Sequence, residues 1–183
     1  GPDGVKALKD LISYIPNHIP VLLDVKRGDI SSTAAAYASA AFDILGADAV
    51  TVSPYMGVDS VDPFNNKKGR GVFILCKTSN KSSNDLQSLK IQGGLSVFEH
   101  VARLSETKWG KNVGLVVGAT DVNALRRVRA VAPKIWILAP GVGAQGGDLE
   151  GVLKSGLRRE DASGVLITVS RGISRADSPR FAA

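Results

Sequence analysis

The chain has 183 residues, a net charge of +6, 44% hydrophobic and 22% charged residues, and one cysteine, Cys76. That is enough chain for one packed domain. It excludes an internal disulfide or a cysteine-based metal cluster, and no apolar run approaches the ~18 residues that a membrane helix needs.

Residues 1–10 lack a basic-then-apolar leader pattern, so a cytoplasmic protein is expected. The basic residues are scattered and not interleaved with aromatics, which argues against a nucleic-acid partner. In chain order, residues 4–14 place Val5, Leu8, Leu11 and Ile12 at helical spacing. The run 21–25 predicts a strand, and 31–45 a helix with Ala34, Tyr37, Ala38, Ala41 and Leu45 on one face, stopped by Gly46. Strands follow at 49–53 and 71–77, the second after a turn at 67–71. Residues 78–94, rich in Ser, Asn and Gln, read as a mobile loop over a site. Then come a helix at 95–105, a strand at 113–119, and a helix capped by Asp121 that ends near Val131. A strand at 135–139, a helix at 149–155 capped by Asp148, and a strand at 164–169 complete the pattern.

The six predicted strands are short and nearly continuously apolar, as strands buried on both faces of a parallel sheet are. Their alternation with helices, without hairpin signals, predicts an α/β fold. An open doubly wound sheet and a (β/α)₈ TIM barrel both fit. Polar residues follow the C-terminal ends of several different strands, which favours the barrel. Six strands, where a barrel has eight, imply that the first two are missing from this chain. No linker divides it, so residues 1–183 read as a single incomplete domain running from the third strand to the eighth.

Asp24 and Lys26 lie two apart at a strand end and so share a face. A plain ion pair is one reading. A charged site is the other, because buried charge without partners is costly. Asp29 is either a further site carboxylate or a helix N-cap. The stretch 139–148 holds four glycines after a strand and before a helix, which suits either a bland turn or a backbone cradle for an anion. It lacks the Lys-Ser/Thr ending of a P-loop. Arg171 follows the last strand, where barrels commonly hold phosphate and a guanidinium can grip two oxygens. Lys77-Thr78-Ser79-Asn80 are ordinary loop residues or ligand contacts. His18 and His100 make no metal spacing with Asp or Glu, so no metal is expected. Trp109 and Trp136 read as structural.

The segment Asp24-Val25-Lys26-Arg27-Gly28-Asp29-Ile30-Ser31-Ser32-Thr33 resembles the Asp-x-Lys-x-x-Asp-Ile-x-x-Thr signature of the orotidine 5′-monophosphate decarboxylases. The run from Pro140 through Gln145 and the segment Ser170-Arg171-Gly172-Ile173 are similar to that family's phosphate-binding segments, and the resemblance covers almost the whole chain. It implies a barrel that converts orotidine 5′-monophosphate to uridine 5′-monophosphate without a cofactor, as a homodimer with shared sites. Lys26 would stabilise and protonate the carbanion. Asp24 would lie near the substrate carboxylate or hold Lys26. Asp29 and Thr33 would serve the partner's site. Ser79, with Thr78 as the alternative, would bond the pyrimidine edge. Gln145 would bridge pyrimidine and phosphate, and Arg171 would clamp the phosphate.

Ser170 departs from the glycine of many relatives. The aspartate and lysine that the family carries on its first two strands are not in this chain. Some relatives are fused to orotate phosphoribosyltransferase, and the end of this chain is compatible with that. A barrel without two strands exposes raw edges, so these residues alone are expected to fold poorly. The alternatives are a metal-dependent sugar-phosphate decarboxylase of the same superfamily and a nonenzymatic nucleotide binder. Ser53-Pro54-Tyr55-Met56-Gly57 is similar to a segment near the family's dimer interface, where packing and no chemistry is expected.

Overall fold

A computed structural model describes residues 1–143 and 146–182. The chain forms two compact units, Gly1–Ile74 with Trp109–Val113, and Leu75–Lys108 with Gly114–Ala183. Its strands are β1 (Leu22–Arg27), β2 (Ala49–Val52), β3 (Gly71–Lys77), β4 (Val113–Val117), β5 (Trp136–Pro140) and β6 (Val165–Thr168). The α-helices are α1 (Pro2–Tyr14), α2 (Ser31–Ser39), α3 (Asp62–Asn65), α4 (Val97–Thr107), α5 (Val122–Val131), α6 (Leu149–Gly156), α7 (Arg171–Ser174) and α8 (Pro179–Ala182). All six predicted strands form, most of them shifted by one or two residues at an end, as ends usually are.

In the first unit, β1 pairs with β2 and β2 with β3, both in parallel. Asp48 ties the starts of these strands. It accepts the Val21 N–H at 2.8 Å and the Arg70 guanidinium at 2.8 Å, and its carbonyl accepts the Gly71 N–H at 2.9 Å. The core packs Ala34 and Ala38 of α2 with Val50, Val52, Val61, Phe64 and Val72. The helix expected to run unbroken from 31 to 45 changes pitch instead: Ala40–Ile44 is a π-helical turn, in which the Leu45 N–H reaches the Ala40 carbonyl at 3.0 Å. In this wider turn Ala41 and Phe42 are both buried, and Phe42 meets Phe64 edge-on with ring centres 6.3 Å apart. The apolar face of α1 buries no residue.

In the second unit, β4 pairs with β5 and β5 with β6, again in parallel. Phe98, Ala102, Leu115, Val117, Leu125, Val128, Ile137, Ala139 and Val152 make its core. Arg129 on α5 is buried. Its guanidinium donates to the carbonyls of Ala132, Pro133, Ile135, Gly156 and Gly164. One side chain thus satisfies carbonyls at the ends of α5 and α6 that the helices leave unpaired. Asp121 caps α5 as expected, accepting the Ala124 N–H at 2.9 Å. Asp148 stands at the N-cap of α6 without a side-chain cap bond, against expectation.

The start of α4 is a capping box of Ser96 and Glu99, a Ser-x-x-Glu signature legible in the sequence. Arg127 of α5 donates to both Glu99 carboxylate oxygens and to Ser96 Oγ, and lies 4.7 Å over the Phe98 ring. Burial pushes the Glu99 carboxyl up, but bonds from Arg127 and Ser96 and the Arg127 charge outweigh it, leaving its pKa at about 2. A carboxylate with a depressed pKa stabilises the fold fully above its ordinary value of 4.5, and loses that contribution as pH falls through about 2. We therefore expect the melting temperature to fall between these limits, and Glu99→Gln to flatten that part of the curve while lowering stability near neutrality by about 2 kcal/mol. Thermal melts of both proteins across this pH range check it.

Candidate functional site

The charged end of β1 lies in the first unit. Leu23 is buried while Asp24 and Lys26 are exposed, as strand alternation dictates. Lys26 Nζ meets both Asp24 carboxylate oxygens at 2.6 Å. The two side chains do share a face, but the backbone is not a plain strand there. The register to β2 shifts between Leu23 and Arg27, and Lys26 has φ 47°, in the left-handed region. A non-glycine residue held there is strained and needs surrounding support.

The support comes from Thr51 of β2, a residue that the sequence reading passed over. Its side chain is buried. Thr51 Oγ1 accepts the Lys26 N–H at 2.9 Å and donates to Asp24 Oδ1 at 2.7 Å. The signal available in the sequence was one hydroxyl inside the apolar run Ala49-Val50-Thr51-Val52. Burial raises the Asp24 carboxyl, but the bonds from Lys26 and Thr51 and the charge of Lys26 prevail, so its pKa lies below the ordinary carboxylate value.

Beyond Lys26 the backbone passes close to Ser53 at Gly28. A Cβ there would sit 2.9 Å from the Ser53 carbonyl oxygen and 3.1 Å from Ser53 Cβ. Asp29 is half-buried, and its Oδ1 accepts the Ile30 N–H at 2.7 Å. It is not the cap of α2, because Ile30 occupies that position. Thr33, also half-buried, lies in the first turn of α2. Arg27 lies 5.0 Å over the Tyr37 ring, and Tyr55 and Met56 are exposed.

The other predicted residues lie in the second unit. The stretch after β3, expected as a mobile loop, carries structure of its own: a 3-10 turn at Lys81–Asp85 and a bridge between Lys90 and Ser96. Its anchor is Lys77, 4% exposed, whose ammonium donates to Ser83 Oγ at 2.7 Å, Asn84 Oδ1 at 2.8 Å and Ser88 Oγ at 3.3 Å. Three N–H donors meet three neutral oxygens, so the buried cation is satisfied without a carboxylate. Thr78 Oγ1 donates to Asn80 at 2.6 Å and accepts from Gln87 at 2.9 Å. Ser79 is exposed, and its hydroxyl has no protein partner among the described residues. Gly118, at the end of β4, lies under it: a Cβ there would stand 3.0 Å from Ser79 Cβ, and the Gly118 N–H bonds the Lys77 carbonyl at 2.7 Å.

Pro140 ends β5, and its carbonyl accepts the Ala119 N–H at 2.8 Å. The turn after it closes through Gly147 N–H to Gly141 O at 3.0 Å. Gln145 lies outside the described residues. Ser170 stands at the N-cap position of α7 without a side-chain cap bond, Arg171 is the first residue of α7, and both are exposed. His18 is exposed and His100 lies on α4, 3.1 Å from Arg103. Among the described residues no group of three His, Cys, Asp or Glu could hold a metal ion, and no helix is long and apolar enough to cross a membrane.

A model of the "Orotidine 5'-phosphate decarboxylase / HUMPS family" matches residues 2–183. An orotidine 5′-phosphate decarboxylase of Herpetosiphon aurantiacus is 49% identical over 175 residues, 94% of this chain and 64% of that protein. The structure of Leishmania donovani OMP decarboxylase superposes with a TM-score of 0.93 at 53% identity, over all of this chain and 71% of that one. Leishmania donovani UMP synthase gives 0.95 at 55% identity, over all of this chain and 41% of that one. The chain thus spans less than two thirds of the curated relative. Its fold is the α/β fold of these decarboxylase barrels, incomplete in this chain.

The crowding at Gly28 makes a first test. Gly28→Ala must push Ser53 away from the loop joining Lys26 to Asp29, and is expected to destabilise the protein by about 1–3 kcal/mol. Urea unfolding checks it, and an unchanged midpoint contradicts the close approach.

Proposed function

The chain belongs to the orotidine 5′-phosphate decarboxylase / HUMPS family, and we propose from this that it forms part of an enzyme converting orotidine 5′-monophosphate to uridine 5′-monophosphate and CO₂. The observation that carries the reading is the Asp24–Lys26 pair, closed at 2.6 Å at the exposed end of β1. Loss of CO₂ breaks the C6–carboxyl bond and leaves its electron pair on C6. The pyrimidine ring offers that pair no conjugated sink, so a fixed cation must meet the charge as it develops. Lys26 supplies that cation, then gives C6 a proton and is reprotonated from solvent. An ammonium suits both tasks, whereas a guanidinium is too weak an acid. Asp24 holds Lys26 and faces the substrate carboxylate.

In the same reading Ser79 bonds the pyrimidine edge. Its hydroxyl is exposed, whereas that of Thr78 is committed to Asn80 and Gln87. Arg171 clamps the phosphate, with Ser170 and the Pro140 loop beside it and Gln145 spanning phosphate and base. Asp29 and Thr33 serve the neighbouring subunit of a homodimer. Residues 1–183 belong to one barrel domain of a cytoplasmic protein in pyrimidine biosynthesis. A fusion to orotate phosphoribosyltransferase is part of the reading, supported by the similarity to a UMP synthase.

The test follows the fall in orotidine monophosphate absorbance in the full-length protein. Wild type is expected to turn over unchanged in EDTA, and Lys26→Ala to lose on the order of 10⁴-fold in kcat. Retained turnover in Lys26→Ala refutes the role of Lys26. Loss of turnover in EDTA, restored by a divalent metal, points instead to a metal-dependent sugar-phosphate decarboxylase. Binding of uridine monophosphate without CO₂ release marks a nonenzymatic binder.

A further inference from the structure

We propose that Thr51 is a positioning residue for the reaction, its buried hydroxyl holding both the Lys26 backbone and the Asp24 carboxylate in their working places. The inference rests on the role given to Lys26 above and adds the device that sets it. Lys26 takes a left-handed φ of 47° inside a strand, where no glycine relieves the Cβ clash. That conformation also takes its N–H out of the regular ladder, since the β1–β2 register shifts between Leu23 and Arg27. An orphaned N–H here would cost stability unless something accepted it. Thr51 Oγ1 accepts it at 2.9 Å.

A hydroxyl has one proton to give, and this one goes to Asp24 Oδ1 at 2.7 Å. The carboxylate in turn grips Lys26 Nζ with both oxygens. The loop is therefore closed: Thr51 to Asp24, Asp24 to the Lys26 ammonium, and the Lys26 backbone back to Thr51. Asp24 and Lys26 are more than half exposed, at 58% and 52%, whereas Thr51 is 1% exposed. Exposed charged side chains would otherwise sample many rotamers. The buried member ties their polar groups to β2, the central strand of β1–β2–β3.

Threonine suits this position on both sides. Its methyl packs within an apolar strand as valine would, and its hydroxyl makes the two bonds. Among the described residues, Lys26 and Thr51 are the side chains bonded to Asp24; β2 carries no titratable group between Ala49 and Val52, and Asp48 before it is engaged by Val21 and Arg70. The lowered pKa of Asp24 agrees with a bond from Thr51.

The test compares wild type, Thr51→Val and Thr51→Ser in the full-length protein. Thr51→Val keeps shape and removes both bonds, and is expected to lower kcat by about 10- to 100-fold. Product binding, measured as Kd for uridine monophosphate, should change by less than about threefold. The acid limb of the kcat profile should move to higher pH, and Thr51→Ser should restore kcat to within about threefold. Two readouts need no turnover: faster hydrogen exchange at the Lys26 amide and a raised Asp24 titration by NMR in Thr51→Val. If wild type shows no decarboxylation, the functional reading fails while these two still judge the hydrogen-bond loop. The proposal is overturned if Thr51→Val keeps kcat within about twofold of wild type with Lys26 exchange and Asp24 titration unmoved. It is equally overturned if kcat and product affinity fall together and Thr51→Ser does not rescue, the signature of general misfolding.

Discussion

Parallel neighbours cannot be joined by a tight turn. The chain must leave the end of one strand and travel back before it can start the next. In both units that constraint sorts the polar side chains. At the strand starts they serve the backbone: the Asp48 carboxylate accepts the Val21 N–H in the first unit, and Arg129 takes carbonyls before β5 and β6 in the second. At the strand ends the ladder stops, and side chains there are free for other work. Asp24, Lys26, Thr78, Ser79, Ser170 and Arg171 all stand at or just after such ends. Barrel enzymes separate stability from chemistry in the same way.

The Asp24–Lys26 pair differs from the surface ion pairs elsewhere in the chain. Lys6–Asp10 and Lys154–Glu150 are exposed i,i+4 pairs on helices, worth little to stability. Asp24 and Lys26 are also exposed, but they are attached through Thr51 to a buried strand, and one of them sits in a strained backbone conformation. A hydrogen bond that fixes this conformation also fixes where the Lys26 side chain leaves the backbone, which is the kind of constraint that the proposed role of Lys26 calls for.

The loop after β3 follows the same logic with different atoms. Lys77 points inward and ties Ser83, Asn84 and Ser88 to the strand end, while Gln87 engages Thr78. The polar side chains that make this stretch read as a loose loop are largely spent on one another. Ser79 is among the residues left outward, and it lies over Gly118.

Much of the architecture was legible in the sequence because it is local. Apolar runs mark all six strands, the Asp121 cap marks α5, and the spacing from Asp24 to Thr33 marks the family. What lay between distant residues was not legible. Asp29 and Asp148 look like caps, yet neither side chain caps a helix. The pitch change at Ala40–Ile44 follows no local pattern that separates it from an ordinary helix. Thr51 is the clearest case: its partners lie 25 and 27 residues away. Whether its hydroxyl meets Lys26 and Asp24 or only the core depends on the register of two parallel strands and on one left-handed residue. By itself the sequence determined which residues form strands and helices, and which carry charge to a strand end, because periodicity and spacing belong to the chain's own neighbours. Only the tertiary structure decided which buried group holds that charge, because strand register is set by packing across the whole sheet.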